Sequence, residues 1–229
     1  MERNTYATVH FNDRKNIWTS NYDKKDKNSH NFIARLDTVT KILEKYFYKN
    51  TKPEKSLDLG CGAGPYLPYL SSISERVIAL DSGDDMIKKA KQNLPKEINN
   101  VDFAVGNAKK IKYKSNEFDL IIAVGLIEYF DKQKMIIEEM KRVLKPGGIM
   151  VITFPNKYGI SRVTGIPRTL SVILPPNFKI FIAKIINYFI PKKIDPSSFY
   201  LGMSYTKNSI NNLFKEANLK IIDSKSTGY

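Results

Sequence analysis

At 229 residues, 42% of them apolar, the chain is long enough for one α/β domain with a decorating segment and too apolar to be disordered throughout. Its single cysteine, Cys61, excludes an intramolecular disulfide and argues against a cysteine-built metal site, and the only histidines are His10 and His30. The 37 Lys and Arg outnumber the 23 Asp and Glu to give a net charge of +14, yet residues 140–194 hold ten basic side chains and no acidic one, so the excess belongs to one region and not to a uniformly polyanion-binding surface.

Residues 1–30 are polar, with Trp18 and Tyr22 as isolated aromatics, and read as an arm or a lid. They lack the apolar core of a secretion signal, which leads to the expectation of a cytoplasmic protein. Across 32–48, Phe32, Ile33, Leu36, Val39, Ile42, Leu43, Tyr46 and Phe47 recur at amphipathic-helix spacing. Short apolar runs then alternate with helical patterns. Strands are expected at 56–59, 76–80, 101–105, 118–124 and 149–154, and helices at 65–72, 84–92 and 134–144, with a turn at Lys145-Pro146-Gly147-Gly148. This alternation predicts an α/β fold, a doubly wound and mostly parallel sheet with helices on both faces. Thr206 is placed to cap a helix through Asn218, and 219–223 reads as a further strand. The expected organisation is an arm and helix over 1–50, a core over 51–155, a helical, basic insertion over 156–205, and a helix and strand returning to the core over 206–229.

Leu57-Asp58-Leu59-Gly60-Cys61-Gly62-Ala63-Gly64 stands between a predicted strand and a predicted helix. Glycine serves there because the chain must turn sharply and admit a ligand against its backbone. Asp81 follows Gly60 by 21 residues at the end of the next strand, where a carboxylate can accept from two ribose hydroxyls. The pair predicts a nucleoside-containing ligand at the carboxyl edge of the sheet, NAD and S-adenosylmethionine both fitting.

From 56 to 154 the sequence resembles the class I S-adenosylmethionine-dependent methyltransferases. The Asp-x-Gly-x-Gly-x-Gly loop, Asp81-Ser82 with Met86, Gly106-Asn107-Ala108, Phe118-Asp119-Leu120-Ile121-Ile122-Ala123, and Lys141-Arg142-Val143-Leu144-Lys145-Pro146-Gly147-Gly148 are similar to the family's motifs in order. The resemblance implies the Rossmann-like methyltransferase fold and S-adenosylmethionine as cofactor, leaving S-adenosylhomocysteine as product, with no metal. It implies that Gly60, Cys61, Gly62 and Gly64 wrap the methionine part and that Asp58 lies near its amino group. Asp81 would hold the ribose, Asn107 and the Ala108 amide would meet the adenine edge, and Met86 would pack on the adenine or else in the core; Ser82 and Val124 complete the cofactor-binding set. Arg35 would reach the cofactor carboxylate, or else lie on a solvated helix surface. Asn107 departs from the family's usual Asp, but its amide oxygen still accepts. Family sheets end in an antiparallel strand, whereas five residues follow Ser224, so that strand is expected to be missing or supplied by a partner; the open edge favours a homo-oligomer.

An in-line methyl displacement needs positioning and dryness more than covalent help. A phenol, enol or alcohol acceptor also needs a base. The histidine found after the fourth strand in many relatives is absent; Gly125-Leu126-Ile127-Glu128-Tyr129-Phe130 stands there, leaving Glu128 and Tyr129 as the catalytic candidates beside a purely structural reading. No Asn/Asp-Pro-Pro-aromatic motif follows that strand, which disfavours nucleic acid, although the basic charge keeps RNA as an alternative. The reading is methylation of a small, lipophilic acceptor, O-methylation foremost, against a catalytically inactive module that binds a membrane or a partner. In the insertion, Phe178, Phe181, Ile182, Ile185, Ile186 and Phe189 fall on one helical face flanked by Lys179 and Lys184. Such a segment spans about 21 Å, too short for a hydrocarbon core of about 30 Å, and suits either an anionic membrane surface or a lid or dimer helix.

Overall fold

The computed structural model describes residues 30–47, 52–156 and 205–226. The arm at 1–29 and the expected insertion helix, with Lys179, Lys184, Lys192 and Lys193, lie outside the described residues.

The first helix, α1 (His30–Tyr46), buries Val39 and Leu43, one turn apart, and exposes the Lys41–Asp37 pair at 2.8 Å on the same helix. Lys45 in its last turn complements the negative helix end and bonds Asp223 at 2.9 Å. The elements that follow are β1 (Lys55–Leu59), α2 (Leu67–Ile73), β2 (Arg76–Asp81), α3 (Asp84–Asn93), β3 (Val101–Val105), β4 (Phe118–Ala123), a 3₁₀ turn (Ile127–Tyr129), α4 (Gln133–Val143) and β5 (Leu144–Ile152). All strand pairs are parallel in the order β3-β2-β1-β4-β5, with Asp58 facing Ala79 of β2 and Ile122 of β4 in register. The chain therefore reverses its direction of sheet-building between β1 and β4, and ligands of such sheets bind in the crevice beyond the carboxyl ends at that point.

Period-two alternation covers both faces. Val77, Ala79, Leu120, Ile122 and Val151 share one core with Val39 and Leu43 of α1, Leu67 and Leu70 of α2, and Ile87 and Ala90 of α3. The alternate positions Leu57, Leu59, Ile78, Leu80, Ile121 and Ala123 are buried as well, as a parallel sheet between two helical layers requires. At the amino edge, Asp119 accepts from the Lys55 amide at 3.0 Å and from Lys145 Nζ at 2.9 Å, which clips β1, β4 and β5 together on the side away from the crevice.

Two expectations are corrected. Leu144, expected as the last residue of a helix, opens β5 by pairing with Phe118; Leu120 then pairs with Ile149, so residues 145–148 bulge out opposite Asp119 alone. Gly147, at φ +78°, permits that bulge. The strand expected at 219–223 does not form: the segment is irregular, and Ile221 and Ile222 are exposed. A strand exists only through its ladder partner, and β5 is the edge of the described sheet on that side.

The described residues form two compact units, divided between Thr153 and Phe154, with 223–226 returning to the first. In the second, α5 (Lys207–Glu216) starts at Thr206, whose hydroxyl accepts from the Ser209 amide while the Ser209 hydroxyl accepts from the Thr206 amide. Edge-to-face contacts of Phe154 with Tyr205 and Phe214, and the Tyr205 amide on the Pro155 carbonyl at 2.8 Å, hold this unit together. Among the described residues no helix is long and apolar enough to cross a membrane.

Candidate functional site

Three glycines make the turn from β1 to α2 possible. Gly60, Gly62 and Gly64 have φ of +75°, +54° and +80°, the left-handed region in which a Cβ is strained. At Gly64 the neighbours also forbid a side chain, since a Cβ would lie 2.7 Å from Leu67 Cδ1. At Gly62 nothing lies within 4 Å of that position. The backbone there faces open space, which a ligand in close contact can fill.

The loop is tied to β2 rather than hanging free. The amides of Gly60 and Cys61 both donate to the Leu80 carbonyl, at 2.7 and 3.1 Å. Asp81, the next residue, accepts from the Gly62 amide at 2.9 Å through Oδ2 and from the Gly83 amide at 2.8 Å through Oδ1. Asp81 thereby fixes the glycine loop and the entry to α3 at once, and with three amides on it the carboxylate keeps room to accept from a hydroxyl. Burial pushes its carboxyl up from the ordinary range, while the amides of Gly83, Gly62 and Ser82 pull it back.

Asp58 is in a harsher position. It is 1% exposed, and its Oδ2 is buried with no hydrogen-bond partner. Desolvation, with the Asp81 charge adding to it, raises its pKa to about 8. A buried carboxylate oxygen without a partner is costly unless a cation meets it. Together with the open backbone at Gly62 it fits a ligand that brings an amino group to the end of β1 and a ribose to the end of β2. Cys61 is buried, and burial, then the charges of Asp58 and Asp81, push its thiol well above the usual range. Both effects disfavour the thiolate form that a nucleophile needs.

The other predicted residues stand around this centre. The Gly106 amide donates to the Asp81 carbonyl at 2.8 Å, bringing the segment of Asn107 and buried Ala108 to the end of β2. Asn107 Oδ1 already accepts from the Lys109 amide at 2.9 Å, so only its second lone pair is left for an adenine amino group. Met86 is buried in the first turn of α3, Ser82 is exposed, and Val124 packs against the core just past β4.

The carboxyl end of β4 brings together Arg35 and Glu128, two residues that the sequence offered for separate roles. Gly125 has φ +66° and donates its amide to Thr153 Oγ1 at 2.8 Å. A Cβ on it would stand 2.9 Å from Arg35 Nη1 and 4.0 Å from Glu128 Oε1. Leu126 instead lies against Gly60, with Cδ1 2.7 Å from where a Cβ of that glycine would be. Arg35 and Glu128 therefore come together at β4, whereas Tyr129 is half-buried in the 3₁₀ turn. Glu128, Tyr129 and Arg35 were each candidates in the sequence; the nearness of Arg35 to Glu128 was not, and its one signal was an isolated glycine directly after a strand.

Residues 57–152 match the model of a methyltransferase domain. The chain is 41% identical over 105 residues to a ubiquinone/menaquinone biosynthesis C-methyltransferase of Hydrogenovibrio crunogenus, covering 43% of this chain and 41% of the relative. It is 30% identical over 109 residues to a ubiquinone biosynthesis O-methyltransferase of Pelagibacter ubique, covering 48% and 45%. The chain spans about half the length of the curated relatives it matches. Among solved structures, magnesium protoporphyrin IX methyltransferase from Synechocystis, with bound S-adenosylhomocysteine, superposes with a TM-score of 0.69 at 13% identity, covering 100% of this chain and 95% of that one, a likeness of fold.

Proposed function

We propose that this chain, whose residues 57–152 match a methyltransferase domain, is a class I S-adenosylmethionine-dependent methyltransferase that methylates an oxygen of a small, lipophilic acceptor. The observation that carries the reading is the buried Asp58 carboxylate, partnerless at Oδ2, beneath a glycine loop whose Gly62 leaves its Cβ position open. When bound, S-adenosylmethionine supplies an electrophilic methyl group on a positively charged sulfur. The chain's residues bind and orient it. Asp58 accepts from the ammonium group, the Gly60–Gly64 backbone allows close approach, and Asp81 accepts from the ribose hydroxyls. Asn107 and the Ala108 amide meet the adenine edge, with Met86 and Val124 as its apolar surroundings. Most of the rate enhancement then comes from alignment in a site that excludes water.

A small acceptor is supported by the relatives named for ubiquinone and menaquinone biosynthesis. The acid-free basic block at 140–194 supports peripheral contact with an anionic membrane as the route by which a lipophilic acceptor arrives. Calorimetric titration of the full chain tests the cofactor half of the reading. S-adenosylhomocysteine should bind and NAD should not; NAD binding without S-adenosylhomocysteine binding would sink it.

A further inference from the structure

Arg35 and Glu128 reach the same Cβ-less corner at the end of β4. Arg35 Nη1 is 2.9 Å and Glu128 Oε1 4.0 Å from the position a Gly125 Cβ would occupy, so the two are no farther apart than the sum of those distances. They nevertheless do not pair. Among the described residues Arg35 makes no ion pair or hydrogen bond, and its guanidinium lies 5.2 Å from the centre of the Phe32 ring. A half-buried guanidinium with its donors unspent is a poor arrangement by itself and a good one around an anionic oxygen. Glu128 is only 8% exposed. The backbone between them is fixed by the Gly125–Thr153 hydrogen bond, and the next side chain, Leu126, is turned onto Gly60. The corner therefore lies at the switch point of the sheet, on the strand next to the one that carries Asp58.

We propose that Arg35 and Glu128 activate the acceptor: Glu128 takes the proton of a phenolic or enolic hydroxyl, and Arg35 carries the negative charge left on that oxygen. This rests on the methyltransferase reading and deepens it. The O–H bond breaks with its proton passing to a Glu128 carboxylate oxygen. The oxygen's electron pair forms the bond to the methyl carbon, and the carbon–sulfur pair stays on sulfur, which ends as a neutral thioether. Glu128 then returns its proton to water. The acceptor class follows from acidity. A phenol, at about 10, lies roughly six units above a carboxylic acid, a gap that an adjacent guanidinium narrows, whereas an aliphatic alcohol is out of a carboxylate's reach.

The test uses the full chain saturated with S-adenosylhomocysteine and 4-nitrophenol as probe, whose ionised form is read by its visible absorption. Near pH 6, where the probe is mostly neutral in water, the wild type should favour bound phenolate by about tenfold. Arg35→Gln should remove that preference without changing S-adenosylhomocysteine affinity, and Arg35→Lys should keep part of it. Because Glu128 retains the proton, wild-type binding should release none to the buffer, and Glu128→Gln should release about one per probe bound, read by calorimetry in two buffers of different ionisation heat. Absence of bound phenolate in the wild type, an unchanged preference in Arg35→Gln, or equal proton release in wild type and Glu128→Gln would overturn the proposal. A tenfold loss of S-adenosylhomocysteine affinity in Arg35→Gln would overturn it too, by putting Arg35 on the cofactor. Failure of the wild type to bind S-adenosylhomocysteine is a separate result, which removes the methyltransferase reading itself.

Discussion

Asp58 shows how burial decides what a motif residue does. Its pKa is raised from 3.8 to about 8, by burial first and by Asp81 second. A carboxyl shifted upward contributes stability that is full below the unfolded value and is lost as pH rises through the folded one. Ligand-free Asp58→Asn should therefore lose less stability than the wild type as pH rises from about 4 to about 8, ending with a Tm higher by about 2–4 °C. Thermal unfolding at several pH values checks this, and parallel profiles would contradict it. The same variant should bind S-adenosylhomocysteine at least about tenfold more weakly, because it removes the ammonium's charged partner.

The glycines separate shape from function at the same scale. Gly64→Ala forces a Cβ to 2.7 Å from Leu67 Cδ1 and 3.3 Å from Ala90 Cβ, and should cost about 2–4 kcal/mol of stability. Gly62→Ala meets no atom within 4 Å and should cost only about 1–2 kcal/mol, the left-handed backbone term, yet still weaken S-adenosylhomocysteine binding about tenfold by filling the cradle. Denaturant unfolding beside calorimetry distinguishes the two. Asp58, Asp81 and these glycines were legible in the sequence because strand, loop and helix stand in fixed spacing around them. Arg35 and Glu128 were legible as separate candidates, but their meeting at Gly125 was not, because residues 90 and 93 positions away from Arg35 meet it only through tertiary folding.

Among the elements, periodicity read the five parallel strands and the helices between them to within a few residues, since each carries its own apolar pattern. The failures came where pairing decides. Leu144 looks like the last apolar position of a helix and becomes a strand residue because Phe118 offers it a ladder. The 219–223 segment has strand-forming residues and forms no strand, since local propensity supplies no neighbour. The cap of α5 was readable, because Thr206 acts on amides three residues ahead. Thr206→Ala removes the hydroxyl that accepts from the Ser209 amide while leaving the Thr206 amide on the Ser209 hydroxyl, and should lower stability by about 1 kcal/mol in denaturant titration, with Thr206→Ser nearly neutral. Equal losses for both substitutions would show that the Thr206 hydroxyl bond contributes nothing.

For the whole molecule, net charge distinguishes where the protein acts from what it does. The cofactor residues proposed here lie outside the acid-free block at 140–194, which carries ten of the basic side chains. Flotation with anionic liposomes should recover the wild-type chain, and changing Lys179, Lys184, Lys192 and Lys193 together to Glu should abolish recovery; unchanged flotation would remove the electrostatic part of the membrane proposal. The central claim is methyl transfer to a small molecule, and it is tested most directly by supplying the full chain with methyl-labelled S-adenosylmethionine and a cell extract, then partitioning the products. Cofactor-derived label should appear in an organic-extractable small molecule and disappear in Asp58→Asn. Label confined to RNA, or S-adenosylhomocysteine binding with no label transferred, would contradict it.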